Sequence, residues 1–288
     1  MQFVVALSFS NPQHYVPMAQ AAEACGWDWA ALSDHVVHPE RMESKYPYTT
    51  DGDAYWDAAN PWPDVWVSVG AMAASTSRLK FMTNVYVLPA RHPLVVAKAV
   101  GTAAVLSHDR VALGIGVGWM KEEFEALGQD FHTRGKRTNE AIEILRALWG
   151  GGMVEHRGEH YSFDSLQMSP APSRQVPIFV GGISKPALRR AASCDGWISV
   201  IHSTEEIANY AARLRELRAD AGKADDPFEL FVSCDDASDA DGFRRLQDAG
   251  ATGAVLMPWT FYRLDPSSLD AKIEGIKRFA ADVIHKLG

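Results

Sequence analysis

Short apolar runs alternate with longer stretches of helical spacing along this chain, and that order leaves very few folds open to it. The candidate strands are Phe3–Leu7, Trp29–Leu32, Leu79–Leu88, Val111–Gly116, Ile178–Val180, Trp197–Val200, Leu230–Ser233 and Ala254–Met257. The helical patterns fall at His14–Cys25, Asp64–Ala74, Pro93–Leu106, Thr138–Trp149, Lys185–Ser193, Glu205–Ala221, Asp239–Asp248 and Leu269–Lys286. Several strands are apolar on both faces, as a parallel sheet covered by helices requires. Repeated strand–helix order allows the doubly wound open sheet or the closed (β/α)8 TIM barrel. Eight units in 288 residues favour the barrel, as one domain over residues 1–288.

Two segments break the rhythm. Residues 36–63 separate the second strand from its helix and carry Tyr46, Tyr48, Tyr55, Trp56 and Trp62 among Pro, Asp and Gly. Loops this long in a compact domain are commonly binding loops or lids. Residues 150–177 begin with Gly150-Gly151-Gly152 and approach the fifth strand through prolines, which reads as an insertion holding a small hairpin. Ser203 or Thr204 ahead of Glu205-Glu206 marks a helix start with acids in its first turn.

Composition narrows the function classes. A formal net charge of −8 argues against a nucleic-acid or anionic-membrane partner, and no apolar run is long enough to span a bilayer. Cys25, Cys194 and Cys234 are isolated, as reduced thiols of a cytoplasmic protein would be. The chain enters its first strand at once, so no signal peptide is expected. His35-x-x-His38 and His156-x-x-x-His160 have ligand-like spacing but match no zinc signature, and no metal is expected. No G-x-S-x-G elbow or catalytic cysteine signature is present in the sequence.

In a barrel the chemistry sits at the C-terminal ends of the strands. That rule nominates Ser8, Ser33-Asp34-His35, Asn84-Val85, Gly116-Val117-Gly118-Trp119, Gly181-Gly182, His202, Ser233 and Pro258-Trp259. Gly114, Gly116 and Gly118 end an apolar run before the acidic stretch Met120–Leu127. A turn without Cβ atoms lets a planar or phosphorylated cofactor approach the main chain. It is not the dinucleotide fingerprint, because Trp119 and Lys121 stand where a further glycine would be needed. Gly181-Gly182-Ile183 precede a helix, where free backbone N–H groups suit an anion. Glu122 and Glu123 read as first-turn acids of the helix after Trp119. Arg134, Lys136 and Arg137 read as structural, pairing with helix acids and fixing a loop. Arg91-His92-Pro93 reads likewise, with proline starting a helix.

Taken in order, several segments resemble the bacterial luciferase-like superfamily, and within it the branch that uses the deazaflavin coenzyme F420. They are Leu32-Ser-Asp-His35, Tyr46-Pro-Tyr48, Asn84-Val-Tyr-Val-Leu-Pro89 with Arg91-His-Pro93, Leu113–Gly128, Phe131–Arg137 with Ala147-Leu-Trp149, and Pro177-Ile-Phe-Val-Gly-Gly182. The resemblance covers nearly the whole chain. It implies a (β/α)8 barrel with an insertion before the fifth strand and a hydride-transferring cofactor in the barrel mouth. It also implies a non-prolyl cis peptide at Asn84-Val85, bulging against one face of the cofactor ring. The coenzyme phosphate is expected at Gly181-Gly182-Ile183 with the backbone of Val117-Gly118, and Asp34 and Gly116 are expected to line the cofactor.

By the same resemblance His35 is the candidate for proton transfer, a task that suits imidazole near neutral pH. Trp119 stands where the family's sugar-phosphate dehydrogenase has a catalytic glutamate, which argues against that substrate. Trp119 either walls an apolar substrate site or caps the barrel core. Tyr48, Trp56 and Trp259 are the other candidate substrate walls. The first expectation is therefore an F420-dependent oxidoreductase acting on a small organic molecule. The alternatives are an FMN-dependent monooxygenase on the same barrel and a non-catalytic barrel that binds a flavin-like ligand. A homodimer is expected, since members of this superfamily commonly pair through barrel helices.

Overall fold

The computed structural model describes residues 1–287. Its centre is a closed parallel barrel of β1 (Gln2–Ala6), β2 (Trp29–Leu32), β3 (Lys80–Thr83), β5 (Val111–Gly116), β8 (Ile178–Gly181), β9 (Gly196–His202), β10 (Glu229–Cys234) and β11 (Gly253–Leu256). The pairing of β3 with β5, Phe81 opposite Val111, closes the ring. A short β4 (Tyr86–Val87) pairs in parallel with the C-terminal end of β5. An antiparallel hairpin of β6 (Met153–Arg157) and β7 (Ser162–Gln167) occupies the segment before β8.

The helices are α1 (Tyr15–Ala24), α2 (Val65–Ala73), α3 (Pro93–Leu106), α4 (Lys121–Ala126), α5 (Arg134–Trp149), α6 (Lys185–Ser193), α7 (Thr204–Asp220), α8 (Ala240–Asp248), α9 (Pro258–Phe261) and α10 (Leu269–Phe279). None is long and apolar enough to cross a membrane. Their starts follow local chemistry. The Asp64 carboxylate accepts the N–H groups of Trp66 and Val67, both at 2.9 Å, to begin α2. Ser203 and Glu206 form a reciprocal capping box on α7, where the sequence placed a start.

Strand residues alternate between two cores, because successive side chains leave opposite faces. Val4, Ala6, Trp29, Ala31, Met82, Ala112, Phe179, Ile198, Phe231 and Val255 fill the barrel interior. Their neighbours, such as Phe3, Val5, Ala30, Phe81, Leu113 and Trp197, face the helices in the outer core. Inside, the rings of Trp29, Phe179 and Phe231 contact one another with centroids 5.1–6.3 Å apart.

The third strand departs from its expected span. Leu79–Leu88 is not one strand: β3 ends at Thr83, the Asn84–Val85 peptide is cis, and Tyr86–Val87 pairs anew with Ile115–Gly116. The three glycines also differ from their expected use. A Cβ on Gly114 would stand 1.9 Å from the Thr83 carbonyl oxygen, so this glycine lets two strands of the barrel wall approach. A Cβ on Gly116 or Gly181 would stand 2.7 or 2.8 Å from a methyl of Val85, and one on Gly118 would strike Phe124 at 2.6 Å. The bare backbone here first accommodates the protein's own Thr83, Val85 and Phe124.

Candidate active site

The chain leaves β2 into Ser33, Asp34 and His35, and each side chain takes a different direction. Ser8 and Ser33 hydroxyls lie 2.7 Å apart, and Ser33 donates to the Asn84 carbonyl at 2.6 Å. The first two strand ends are thereby tied to the cis peptide that follows the third. Val85, beyond it, places its methyls against both Gly116 and Gly181. Asn84, Val85, Gly116 and Gly181 are brought together, as the sequence reading expected.

Asp34 is taken up by an arginine and a backbone N–H. Its oxygens receive both terminal nitrogens of Arg91, at 2.7 and 2.8 Å, and the Val87 N–H at 3.0 Å. The carboxylate is 4% exposed. It forms a buried, bidentate ion pair that anchors the chain after β4, a partner the sequence did not show. His92 accepts the Leu94 N–H at the start of α3 and Pro93 is the first helical residue, in line with a structural Arg-His-Pro segment.

His35 meets a carboxylate that the sequence marks only as a first-turn acid of a helix. Its Nδ1 lies 3.1 Å from Oε2 of Glu123, whose other oxygen accepts the Val36 N–H at 2.6 Å. Glu123 is only 1% exposed. Burial pushes its carboxyl pKa up, but the hydrogen bond and charge of His35 and the N–H groups of Val36 and Val37 prevail and hold it below the ordinary value. An ionised carboxylate can only accept, so Nδ1 carries the hydrogen and Nε2 is left to exchange a proton. Glu122, one residue earlier, accepts the N–H groups of Glu43 and Ser44 at 2.7 and 2.9 Å. Against the opposing cost of burial, these bonds and that of the Ser44 hydroxyl bring its pKa down to about 2. The two acids do occupy the first turn of α4 as expected, and they also hold the loop of residues 36–63 at Val36 and at Glu43–Ser44.

That loop brings aromatic rings over His35. Trp62 lies 4.9 Å, Trp56 5.5 Å and Trp119 6.1 Å from the imidazole, centroid to centroid. Tyr46 packs edge-on against Trp119 at 5.1 Å, and Phe9, from the turn after β1, packs against Trp62 at 5.4 Å. Trp119 is therefore a half-buried member of this cluster. Tyr48 is 40% exposed, and its hydroxyl lies 3.6 Å from where a Cβ of Gly182 would be. Trp259 is elsewhere: it is 2% exposed, and Gly275 of α10 is glycine because any Cβ would press its backbone at 2.7 Å. Trp259 belongs to the outer core, not to a substrate wall.

On the far side, Gly182 has a φ of 105° and turns the chain into Ile183, itself 36% exposed, and then Ser184, the cap of α6. Gly118, at φ 82°, faces the mouth from β5, and its carbonyl accepts Nε of Arg134 at 3.1 Å. Arg137 donates to the Pro89 and Asp130 carbonyls and to Gln129, so the basic segment does fix a loop. Its expected acid partners on the helix are replaced by backbone carbonyls, with Lys136 pairing to Glu159 of the hairpin. His38 and His35 do not converge, since His38 donates to the Pro39 carbonyl at 3.0 Å. His156 is taken up by Glu140, also at 3.0 Å.

Comparison with known proteins agrees with this geometry. The chain matches the family described as luciferase-like monooxygenases over residues 1–282. It is 39% identical over 289 residues, and 100% of each chain, to an uncharacterized protein of Mycobacterium tuberculosis. It is 29% identical over 255 residues to an F420-dependent glucose-6-phosphate dehydrogenase of Nakamurella multipartita, covering 86% of this chain and 70% of that one. In three dimensions it superposes on the coenzyme F420-dependent tetrahydromethanopterin reductase of Methanopyrus kandleri with a TM-score of 0.77 at 15% identity, over 100% and 99% of the chains.

Proposed function

The chain belongs to the luciferase-like monooxygenase family, and from that premise we propose that it is a coenzyme F420-dependent oxidoreductase transferring a hydride between deazaflavin and a small organic substrate. The observation that carries this reading is the buried His35–Glu123 pair, at the end of the barrel where Val85 also packs against Gly116 and Gly181. The relative from Nakamurella multipartita supports the choice of cofactor.

The residues present fit such a group. Val85 offers an apolar ledge that would support a flat ring. The turn at Gly182 and Ile183, half-open ahead of α6, offers backbone N–H groups to a phosphate, with Gly118 facing it. When bound, deazaflavin supplies a carbon that accepts or donates a hydride. The protein's own part is position, dryness and one proton. The aromatic loop, pinned through Glu122, excludes water above His35. Glu123 sets the hydrogen on Nδ1, so that Nε2 gives a proton to a substrate oxygen or takes one from it. Trp119 offers no acid, which leaves His35 as the proton-transfer group.

The family's description also supports a second reading, an FMN-dependent monooxygenase on the same barrel. Titrating the purified protein with deazaflavin and separately with riboflavin phosphate, by fluorescence quenching, separates the two. Tight deazaflavin binding with weak riboflavin phosphate binding is the expected result. The reverse order overturns the proposal in favour of oxygen insertion, and binding of neither favours a non-catalytic barrel.

A further inference from the structure

The loop over His35 is hydrogen-bonded to the protein at its two ends only. At one end the Glu122 carboxylate accepts the N–H groups of Glu43 and Ser44, and the Ser44 hydroxyl accepts the Lys121 N–H at 3.0 Å. At the other end Asp64 caps α2. Among the described residues, segment 45–63 between these points makes no hydrogen bond or ion pair to the rest of the protein. Its polar groups bond within the segment instead. The Tyr46 N–H donates to the Gly52 carbonyl at 2.7 Å and the Thr49 hydroxyl to the Asp53 carbonyl at 2.8 Å. Lys45 pairs with Asp53, and Asp57 and Asn60 close a second turn.

Ring contacts hold the segment down. Trp56 and Trp62 pack on His35 and on Phe9, Tyr55 packs on Phe9 at 5.6 Å, and Tyr46 packs on Trp119. With these rings in place the His35 side chain is 9% exposed. Two features oppose the packed arrangement. Phe9 meets its three rings from a φ of 61°, a left-handed backbone that a bulky side chain rarely adopts. The indole N–H groups of Trp56 and Trp62 are buried without a partner. Those of Trp27, Trp29, Trp149 and Trp197 each donate to an oxygen, at 2.7–3.2 Å. A buried donor without an acceptor is costly, and exposure to water removes that cost. Apolar burial favours packing, while strain and the two unmet donors narrow its advantage.

We propose that residues 45–63 form a flap over His35 that opens as one body about Ser44 and Asp64, and that Phe9 is the catch that holds it shut. Opening puts both indole N–H groups in water and uncovers the imidazole. The bonds inside the segment, and those of Glu122 and Glu123 to the chain before it, stay whole. Pro61 and Pro63 flank Trp62 and suit a stiff strap, since their φ is fixed and neither carries an N–H that needs a partner. Such an opening lies below global unfolding in free energy, because no backbone ladder is broken. The flap controls access to His35 whatever chemistry the imidazole performs. Under the hydride-transfer reading it admits the substrate and then excludes water.

The test is deuterium exchange of the indole N–H groups, followed by NMR on the protein alone at stepped low denaturant. Trp56 and Trp62 should exchange with one opening constant and little denaturant dependence. They should be at least about 100-fold faster than Trp27, Trp29, Trp149 and Trp197, whose exchange follows global unfolding. Trp66 is the control: its indole is also buried without a partner, but it sits on α2 under Tyr86 and should exchange with the slow set. Phe9→Gly suits a φ of 61° and removes the ring. In that variant Trp56 and Trp62 should exchange about tenfold faster still, with the same weak denaturant dependence. Carbethoxylation of His35 by diethyl pyrocarbonate, mapped by mass spectrometry, should rise by a similar factor. The proposal is overturned if Trp56 and Trp62 exchange with the slow set, if they open with two different constants, or if Trp66 keeps pace with them. Unchanged His35 labelling in a variant with faster indoles overturns the gating of His35. The wild-type exchange decides the matter by itself if Phe9→Gly does not fold. No coenzyme is used, so a protein that ignores deazaflavin keeps the flap, and a static flap leaves the hydride-transfer reading standing.

Discussion

Replacing Glu123 by Gln tests the central pair with little change of shape. The native carboxylate accepts from His35 Nδ1 at 3.1 Å and from Val36 N–H at 2.6 Å, in a site 1% exposed. The amide retains one oxygen. If it keeps Val36, its NH2 group faces Nδ1, which must then accept, and the hydrogen moves to Nε2. A charge-assisted bond of about 1.5–3 kcal/mol is exchanged for a neutral one of about 0.5–1.5, a net loss of about 1–2 kcal/mol. For a domain of this size that lowers Tm by roughly 2–6 °C. Loss of the proton-exchange role at Nε2 should lower turnover by about 10²- to 10⁴-fold.

The pH dependence has a definite sign. Glu123's pKa is held below the ordinary 4.5, so its contribution is complete above that value. It is lost as pH falls through the lower folded value. Glutamine does not titrate, so the stability gap between wild type and Glu123→Gln should close on acidification below about 4.5. Denaturant titrations at stepped pH measure the gap, and nitrogen NMR of the His35 ring reports which nitrogen bears hydrogen. The reasoning is refuted by an unchanged tautomer, or by a gap that stays constant or widens as pH falls.

Three further changes probe what surrounds the pair. Arg91→Met strands the buried Asp34 carboxylate and should cost about 3–5 kcal/mol in chemical denaturation; a cost below about 1 would show the ion pair to be dispensable. Gly114→Ala puts a methyl 1.9 Å from the Thr83 carbonyl, so the barrel wall must shift; we expect a loss of about 3 kcal/mol or more, and a neutral variant would contradict the close approach. Trp259→Ala should lose about 3–5 kcal/mol of stability while deazaflavin affinity, measured well below its Tm, stays within about twofold; unchanged stability with weakened ligand binding would return Trp259 to the mouth.

Local chemistry alone was sufficient for much of this protein. Period-2 and period-3.6 patterns mark the strands and helices because each must bury one face, and eight such units close into a barrel. Ser203 shows the α7 start because its hydroxyl is three residues from the N–H it caps. The mouth residues His35, Asn84, Val85, Gly116 and Gly181 follow from the rule that loops after the strands meet at one end. What needed the tertiary structure was every pairing between elements. Glu123 is 88 residues from His35, and its spacing within α4 looks the same whether it faces water or an imidazole. Asp34 is held by Arg91, 57 residues on, and Trp259 is covered by α10; neither contact leaves a mark in the local pattern. The glycines after β5 looked like room for a ligand, and the chain itself uses that room first. A side chain's direction depends on what packs against it, and sequence carries that only as a sum over contacts distant along the chain. Strand and helix periods lie within a few residues of each other and are legible. The partner of a buried charge or an indole N–H lies across the barrel, and only the closed fold decides it.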